Sequence, residues 1–362
     1  MPDLENRLKS RHWKIRLNAV KEIGKLEDQA KAIELYVERL GDRSEKVEEL
    51  AFNSLALIGK AAVPVLITAL KNENPKIRCN AAELLGWASD VSAVPALFEA
   101  LNDGHVRVRR NADDALEDLE RKYSGIMKKV IDGLGDKPSD FPALMGCLNY
   151  VNAEIQDYAA ERVLQLGEPS VVHLIEFMKG KTTEGNKLLR SKCADILGDI
   201  GVVSAVPLLI ETLNDKDEGV ASGAAYALGK IGDTSAVVPL TKALEHEHSG
   251  VREAAAWALG EIGHISAKPF LIQRLQDPDE FVLQSTVSAL AKFCELEEIR
   301  EVLQSSTETS DPKEVKERTM LYMRLVDDLK KEKDKINMPG ELLPDKPKPP
   351  KGTFRQRRAL RN

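Results

Sequence analysis

The sequence contains few aromatic residues and few cysteines. Aromatic residues make up only 5% of its 362 residues, so Ala, Leu, Val and Ile must fill most of any core. Closely packed helices accommodate such small side chains better than a sheet sandwich does. The four cysteines are Cys79, Cys147, Cys193 and Cys294. They lie far apart and lack the paired spacing of a metal site or a disulfide scaffold. This usage favours a reducing, cytoplasmic setting.

Membrane signals and catalytic motifs are also missing from the sequence. The chain opens with MPDLENRLKS, in which we find no apolar segment of the kind that forms a signal peptide. No run of about 18 apolar residues is present, so we predict no membrane span. Glycine-rich phosphate loops, GxSxG and Cys/His nucleophile arrangements are absent as well. We therefore expect a non-catalytic protein with no cofactor and no metal site.

Charge is distributed unevenly along the chain. Residues 1–25 contain seven Lys or Arg against three acids, and residues 344–362 contain seven against one. Because the formal net charge of the whole chain is −6, residues 26–343 carry about −16. This pattern describes an acidic body with two basic ends. It favours a basic protein or peptide partner and argues against nucleic acid, whose phosphates an acidic surface repels.

A repeated pattern of two helices is the strongest signal in the sequence. The second helices read NPKIRCNAAELLG, HVRVRRNADDALEDL, EGVASGAAYALGKIG, SGVREAAAWALGEIG and EFVLQSTVSALAKF. Their apolar residues follow a helical period of 3.6 rather than the alternation of a strand. Aligning these and weaker copies gives about nine anchor positions: Ile15, Val47, Ile77, Val108, Ile155, Leu189, Val220, Val251 and Val282.

The first helix of each unit repeats too, as in AAVPVLITAL and VSAVPLLIETL. Proline near the start fits there, because that position needs no backbone N–H. Two short amphipathic helices cannot bury both apolar faces alone, so the units must stack. We predict an all-α solenoid of about nine helix-turn-helix repeats over residues 1–293, with an irregular unit near 110–155. A C-terminal helical cap is predicted at 294–334, and a disordered, basic, Pro-rich tail at 335–362.

The VR-x-x-AA-x-ALG-x-IG second helices and AVP-x-L-x-x-x-L first helices resemble HEAT repeats of the short type named after phycobilisome (bilin) lyases. The resemblance implies an α-solenoid whose second helices line the concave side. It also implies an internal ladder, in which an Asp in each turn pairs with an Arg six residues later. Asp103 with Arg109 fits this ladder, and Asn72 with Arg78 fits loosely. Asp215 faces Ala221 and Asp277 faces Leu283, so we expect an incomplete ladder.

The same family includes bilin lyases, iron-dependent hydroxylases and plain scaffolds, so the resemblance leaves the activity open. The hydroxylases build a di-iron site from His-Glu pairs at the starts of inner helices. Here those positions read Arg78-Cys79, Arg109-Arg110, Arg190-Ser191 and Arg252-Glu253. The adjacent pair His246-Glu247 lies in a turn. We therefore do not expect hydroxylase activity, whereas a bilin-lyase-like role remains an alternative because those subunits have no readily recognised catalytic motif.

One exposed position of the second helices suggests a binding surface. It is occupied by Lys21, Asn53, Glu83, Asp114, Glu161, Asp195, Tyr226, Trp257 and Ser288. Most of these are polar, whereas Tyr226 and Trp257 are large rings in adjacent units. Rings at interfaces contribute much of the binding energy. We predict an acidic and aromatic groove that binds a partner segment, formed by Glu83, Trp87, Asp195, Tyr226, Glu253 and Trp257. Alternatively, each ring packs on the Ala-rich surface of a neighbouring unit.

The basic ends offer a second candidate contact. Trp13, Lys14 and Arg16 resemble the WK-x-R motif that opens tubulin-binding TOG domains, which implies tubulin as an alternative partner. Near the other end, Arg355, Arg357 and Arg358 follow a Pro- and Lys-rich stretch that could bind an anionic partner or an acidic groove. The hypothesis we adopt is a protein-binding scaffold.

Overall fold

The computed structural model describes residues 2–135, 137–179 and 187–293, together with Arg324. Every regular element in these residues is an α-helix or a short 3-10 turn, and none of them forms a strand. The chain divides into two compact units, residues 1–236 (unit 1) and 237–362 (unit 2). The predicted cap at 294–334, apart from Arg324, and the predicted tail at 335–362 lie outside the described residues, as does Cys294.

Helices α1 to α15 belong to unit 1, and successive helices form helix pairs. The bounds are α1 Pro2–Leu8, α2 Trp13–Ile23, α3 Gln29–Arg39, α4 Glu45–Ile58, α5 Val63–Ala69, α6 Pro75–Ala88, α7 Val94–Ala100, α8 Val106–Lys122, α9 Ile126–Asp132, α10 Phe141–Leu148, α11 Ala153–Leu166, α12 Glu168–Lys179, α13 Lys187–Ile200, α14 Val206–Thr212 and α15 Glu218–Ile231. Unit 2 contains α16 Val237–Ala243, α17 Ser249–Ile262, α18 Lys268–Arg274 and α19 Glu280–Leu290.

The anchor positions lie where the repeat pattern predicts, and they explain why these helices stack. All of them are buried except Ile15, which is 41% exposed near the N-terminal edge. The residue four positions after each anchor is also buried, and it is usually alanine, as at Ala81 and Ala255. Small side chains at this position let neighbouring second helices approach closely. The predicted all-α repeat architecture is therefore confirmed.

Glycine in the ALG motif sets the spacing between neighbouring second helices. A Cβ added to Gly86 on α6 would lie 2.9 Å from the Cβ of Ala115 on α8. The same contact recurs between Gly198 and Ala227. In unit 2, a Cβ on Gly260 of α17 would lie 2.8 Å from the Cα of Ala289 on α19. Gly86, Gly198 and Gly260 are therefore points of close contact between second helices.

The ladder of Arg and Asp side chains differs from the predicted one. Arg16, Arg78 and Arg252 each donate to the backbone carbonyl six residues earlier and form an ion pair with an aspartate in the next turn along the chain. Arg78 Nη1 lies 2.7 Å from the Asn72 carbonyl oxygen, whereas Arg78 Nε lies 2.7 Å from Asp103 Oδ2. The equivalent pairs are Arg16–Asp42, Arg190–Asp215 and Arg252–Asp277.

This arrangement corrects the pairing expected from the sequence. Asp215 and Asp277 were interpreted as missing their arginines, but each is paired with an arginine of the preceding repeat. Arg109 donates to the Asp103 carbonyl, while the carboxylate of Asp103 pairs with Arg78. Each aspartate also accepts the backbone N–H two residues later, as Asp103 does from His105 at 2.8 Å. The ladder thus joins repeats to one another rather than closing a turn.

The region near 110–155 interrupts the regular order of the repeats. Helix α8 has 17 residues, longer than the other second helices, and α9 and α10 both precede the next second helix, α11. Helix α10 packs against α7. A Cβ added to Gly146 would lie only 1.6 Å from the Phe98 carbonyl oxygen. The two backbones therefore approach so closely that only glycine fits at this position.

One stretch of unit 1 is apolar enough to be considered for a membrane span. An 18-residue window within Glu45–Ala69 has a mean hydropathy of 1.8. The prediction that the sequence contains no apolar run of about 18 residues overlooked this segment. The stretch is not one straight helix, because α4 ends at Ile58 and Gly59, with φ of 64°, begins the 3-10 turn that precedes α5. Its buried residues, such as Leu55 and Leu66, are core positions of the repeats. This segment is weak evidence for membrane insertion.

Candidate functional site: an acidic face on α6 and α8

Two of the predicted binding residues lie one turn apart on α6. The Trp87 side chain is 60% exposed, and its ring meets Phe52 of α4 edge to face, with ring centroids 5.1 Å apart. Glu83 is half-buried on the same helix. Leu57, which occupies the position of Trp87 one repeat earlier, is 89% exposed. Apolar side chains are therefore accessible next to a carboxylate.

Helix α8 brings further carboxylates to Glu83. Burial and the charge of Asp114 both raise the pKa of Glu83. Burial also raises the pKa of Asp113, and the charges of Glu117 and Asp114 add to that effect. We call Glu83, Trp87, Asp113, Asp114 and Glu117 the acidic face. Its carboxylates have no Lys or Arg partner within the part of the chain that the structure describes.

Asp113 lies in a partly desolvated part of the acidic face. Oδ1 of Asp113 is buried without a hydrogen-bond partner among the described residues. Nearby, burial raises the pKa of Tyr150, and the charges of Asp113, Glu117 and Glu120 raise it further. Like charges held together in partly desolvated positions lower stability and are concentrated at functional sites. The ladder aspartates are each paired with an arginine, whereas the carboxylates of the acidic face lie together without such partners among the described residues.

Replacing Asp113 with asparagine is expected to stabilise the protein at neutral pH, by about 0.5–1 kcal/mol. A carboxyl whose pKa is raised by folding reduces stability above that raised value. The cost vanishes as pH falls towards the ordinary pKa of about 3.9. Urea unfolding should therefore show a gain for Asp113→Asn at pH 7 that shrinks as the solution is acidified.

Asp118→Asn provides the matched control on the same helix. Asp118 is exposed and lies 2.6 Å from Arg121, so its charge is already compensated. This variant should give no gain in stability at any pH. A loss of stability for Asp113→Asn at pH 7 would show that the Asp113 charge is compensated.

The remaining predicted groove residues lie on three other second helices. Asp195 lies on α13 and Tyr226 on α15, two helices that pack against each other in unit 1. Glu253 and Trp257 lie one turn apart on α17 in unit 2. All four side chains are half-buried. They remain predicted binding residues, since neither their burial nor their placement tests partner binding.

The basic N-terminal contact is only partly accessible. The Trp13 side chain is 37% exposed, with Lys46 Nζ 5.3 Å and Lys14 Nζ 5.9 Å from its ring centroid. Arg16, by contrast, lies 2.7 Å from Asp42, and its side chain is only 12% exposed. Its guanidinium therefore serves the ladder. The other predicted basic residues, Arg355, Arg357 and Arg358, lie outside the described residues.

The helix starts that carry His-Glu pairs in the iron-dependent hydroxylases are occupied by ladder arginines here. Arg78, Arg190 and Arg252 each pair with an aspartate of the next turn. Across residues 2–135, 137–179 and 187–293, no group of three or more His, Cys, Asp or Glu side chains could hold a metal ion. His246 and His248 lie near each other, with ring centroids 5.5 Å apart, but without a third ligand. These residues do not fit a di-iron centre.

Sequence reasoning missed part of the acidic face. Asp114 was noted only as one member of a polar column, and Asp113, Glu117 and Phe52 were not proposed as binding residues. The run DDALED in α8 was the available signal, because acids three and four residues apart share one helix surface.

Comparison with known proteins accounts for these repeats. Residues 33–117, 63–165, 171–258 and 237–323 match the HEAT-repeat family, and together they span more than half of the chain. The chain belongs to the HEAT-repeat family. The resemblance to HEAT repeats predicted from the motifs is therefore confirmed.

Individual relatives of this HEAT-repeat protein include an enzyme. The chain is 30% identical over 214 residues to the deoxyhypusine hydroxylase of Saccharomyces cerevisiae, covering 54% of this chain and 65% of the yeast protein. It therefore spans less than two thirds of that relative.

Two solved structures have similar helical arrays. Human deoxyhypusine hydroxylase is 21% identical with a TM-score of 0.33, and the match covers 73% of this chain and 96% of the human one. The CpcE–CpcF complex of phycocyanin lyase from Nostoc sp. PCC7120 is 22% identical with a TM-score of 0.30, covering 74% and 94%. At these TM-scores the likeness carries no conclusion about function.

Proposed function

We propose that this HEAT-repeat protein is a non-catalytic scaffold that binds a basic segment of a partner protein on the acidic face. The observation that supports the proposal is the set of carboxylates on α6 and α8 that lack a cationic partner among the described residues. Burial and neighbouring carboxylates raise the pKa values of Glu83 and Asp113, so keeping these two groups charged at neutral pH lowers stability. Residues that lower stability without a structural benefit are typical of binding sites.

The chemistry of the acidic face defines the partner. Lys and Arg side chains of the partner would provide the positive charges with which Glu83, Asp114 and Glu117 can pair. The same attraction would increase the rate of association. Trp87 offers an exposed ring on which a guanidinium or an apolar side chain can pack. Asp195, Tyr226, Glu253 and Trp257 are proposed as additional contacts for the same kind of segment, on α13, α15 and α17.

The proposal can be tested with a defined probe, a fluorescein-labelled synthetic peptide of alternating Lys, Arg and Trp residues. Fluorescence anisotropy should show binding to the full chain that weakens steeply with added salt. Glu83→Gln/Asp114→Asn/Glu117→Gln should reduce affinity about tenfold or more, because three charge pairs with the peptide are lost, one of them at half-buried Glu83, and tenfold corresponds to about 1.4 kcal/mol in total. Trp87→Ala should reduce affinity with little change in the salt dependence.

A control variant separates specific binding from attraction to a generally acidic protein. Glu27→Gln/Glu168→Gln/Glu211→Gln removes the same charge from exposed positions away from the acidic face. If the control variant loses as much affinity for the peptide as the acidic-face variant does, the acidic face is not the binding site. Circular dichroism confirms that each variant remains folded.

A second candidate is an enzyme related to deoxyhypusine hydroxylase, which the 30% identity to the yeast protein favours. The residues argue against it, because Arg78, Arg190 and Arg252 replace the His residues of the expected pairs and are held in ion pairs. Reproducible turnover of a hydroxylase substrate by the purified protein would support this candidate. Stoichiometric partner binding without turnover would support the scaffold.

A further inference from the structure

A pocket of about 640 Å³ lies among the first helices of unit 1, and it shares no residue with the acidic face. Helices α5, α7, α10 and α12 contribute to its walls, together with the turns that follow α5 and α7. Its volume falls within the range of about 300–1,000 Å³ that is usual for small-molecule sites.

The pocket forms where the repeat order is irregular. Helices α5 and α12 are the first helices of two units that are three repeats apart. In a regular stack, the axes of such helices would be about 24–30 Å apart. Here Ile67 of α5 and Phe177 of α12 line the same pocket. Helix α10, whose backbone approaches α7 closely at Gly146, contributes Phe141 and Met145 to the same pocket.

The floor of the pocket is apolar and aromatic. Phe141 and Met145 are 3% and 4% exposed. The Phe141 ring stacks on the imidazole of His173, with centroids 4.1 Å apart and planes inclined by 18°. Phe177 and Ile67 are half-buried beside them. A flat apolar group would displace water from this floor and gain hydrophobic stabilisation.

The rim carries an excess of negative charge. Its two cations are already paired, Lys71 with Glu99 at 3.2 Å and Arg78 with Asp103 at 2.7 Å. Glu73 and Glu176 have no Lys or Arg partner among the described residues, and Glu176 lies 3.9 Å from His173. A cation entering the pocket would therefore meet two uncompensated carboxylates near aromatic rings, which also attract positive charge.

We propose that this pocket binds a small organic cation, in which an aromatic ring is joined to an ammonium group. The ring lies on the floor formed by Phe141, Met145 and Phe177. The ammonium lies at the rim, where Glu73 and Glu176 compensate its charge. This pocket shares no residue with the acidic face, so the proposed ligand and the proposed scaffold function are tested independently.

The test uses phenethylammonium as the probe and the methyl signal of Met145 as the readout. The full chain is labelled at its methionine methyl groups, and Met145→Leu assigns the signal. We expect a saturable shift of this signal with a dissociation constant of about 1–10 mM, as for a ligand of few atoms. The anion 3-phenylpropionate and the ring-free n-butylammonium should each bind at least fivefold more weakly.

Two variants separate the pocket from general electrostatic attraction. Glu73→Gln/Glu176→Gln should weaken phenethylammonium binding at least threefold, whereas Glu27→Gln/Glu211→Gln, which removes the same charge from exposed positions elsewhere in unit 1, should not. Equal affinity for 3-phenylpropionate would overturn the proposal even if the variants failed to fold. The proposal would also be overturned by an unchanged Met145 signal, or by equal weakening in both variants.

Discussion

Gly146→Ala is expected to lower the free energy of unfolding by about 2–3 kcal/mol or more, because added volume in a tight contact forces backbone to move. The new Cβ would lie 1.6 Å from the Phe98 carbonyl oxygen and 2.3 Å from the carbon of the same group. Neither atom belongs to a flexible side chain, so α10 must separate from α7. In a helix interior without such a contact, the same substitution stabilises by about 1 kcal/mol, so even the sign of the effect is informative.

Urea denaturation gives the loss of stability, and hydrogen exchange of α7 and α10 shows where it occurs. Gly104→Ala is the control, because a Cβ there would meet no atom within 4 Å. That variant should change stability by no more than about 0.5 kcal/mol. A stabilising Gly146→Ala would contradict the close packing of α7 and α10.

Asp277→Ala is expected to cost about 3–5 kcal/mol, the usual effect of removing one partner of a buried ion pair. The Asp277 side chain is 1% exposed, and its oxygens lie 2.7 and 2.9 Å from Arg252 Nε and Nη2. Asp277 also accepts the backbone N–H of Asp279 at 3.0 Å. Removing the carboxylate therefore leaves the Arg252 guanidinium without this anion, on a side chain that is only 11% exposed. It also leaves the backbone N–H of Asp279 without its acceptor.

Glu261→Ala in the same unit tests whether any ion pair has this effect. Glu261 lies 2.7 Å from Lys292, but both side chains are about two-fifths exposed. Exposed pairs contribute about 1 kcal/mol or less, so this variant should be nearly neutral. Hydrogen exchange of α17 and α19 measures both effects locally. If the two variants lost stability equally, the Arg–Asp ladder would not be what joins the repeats.

The ladder shows why the fold was predictable from the sequence while its polar contacts were not. The helical period and the buried anchors follow from local spacing, so they identify the repeats directly. Arg78 lies close in sequence to Asn72 and far from Asp103, yet its side chain extends to the next repeat. Only the stacking distance between helices decides which carboxylate a long side chain reaches. A recurring separation of 25 residues between Arg and Asp was present in the sequence at three places, including Arg252 and Asp277.

The candidate site was predictable only where it follows the repeat. Glu83 and Trp87 emerge from the alignment because α6 is a regular second helix. Asp113 and Glu117 occupy positions that are apolar or small in most other repeats, so their charges gain meaning only when α8 is placed against α6. The pocket lined by α5, α7, α10 and α12 could not be predicted, because it depends on how first helices of successive repeats are placed relative to one another.

The central claim, that the acidic face binds a basic partner, is tested most directly by quantitative affinity capture from an extract of the native cells. Wild-type protein is compared with Glu83→Gln/Asp114→Asn/Glu117→Gln and with the control Glu27→Gln/Glu168→Gln/Glu211→Gln. The account predicts that wild type and control capture the same partner, which added salt releases, and that the acidic-face variant loses it. Capture of the same proteins in equal amount by all three would contradict the account.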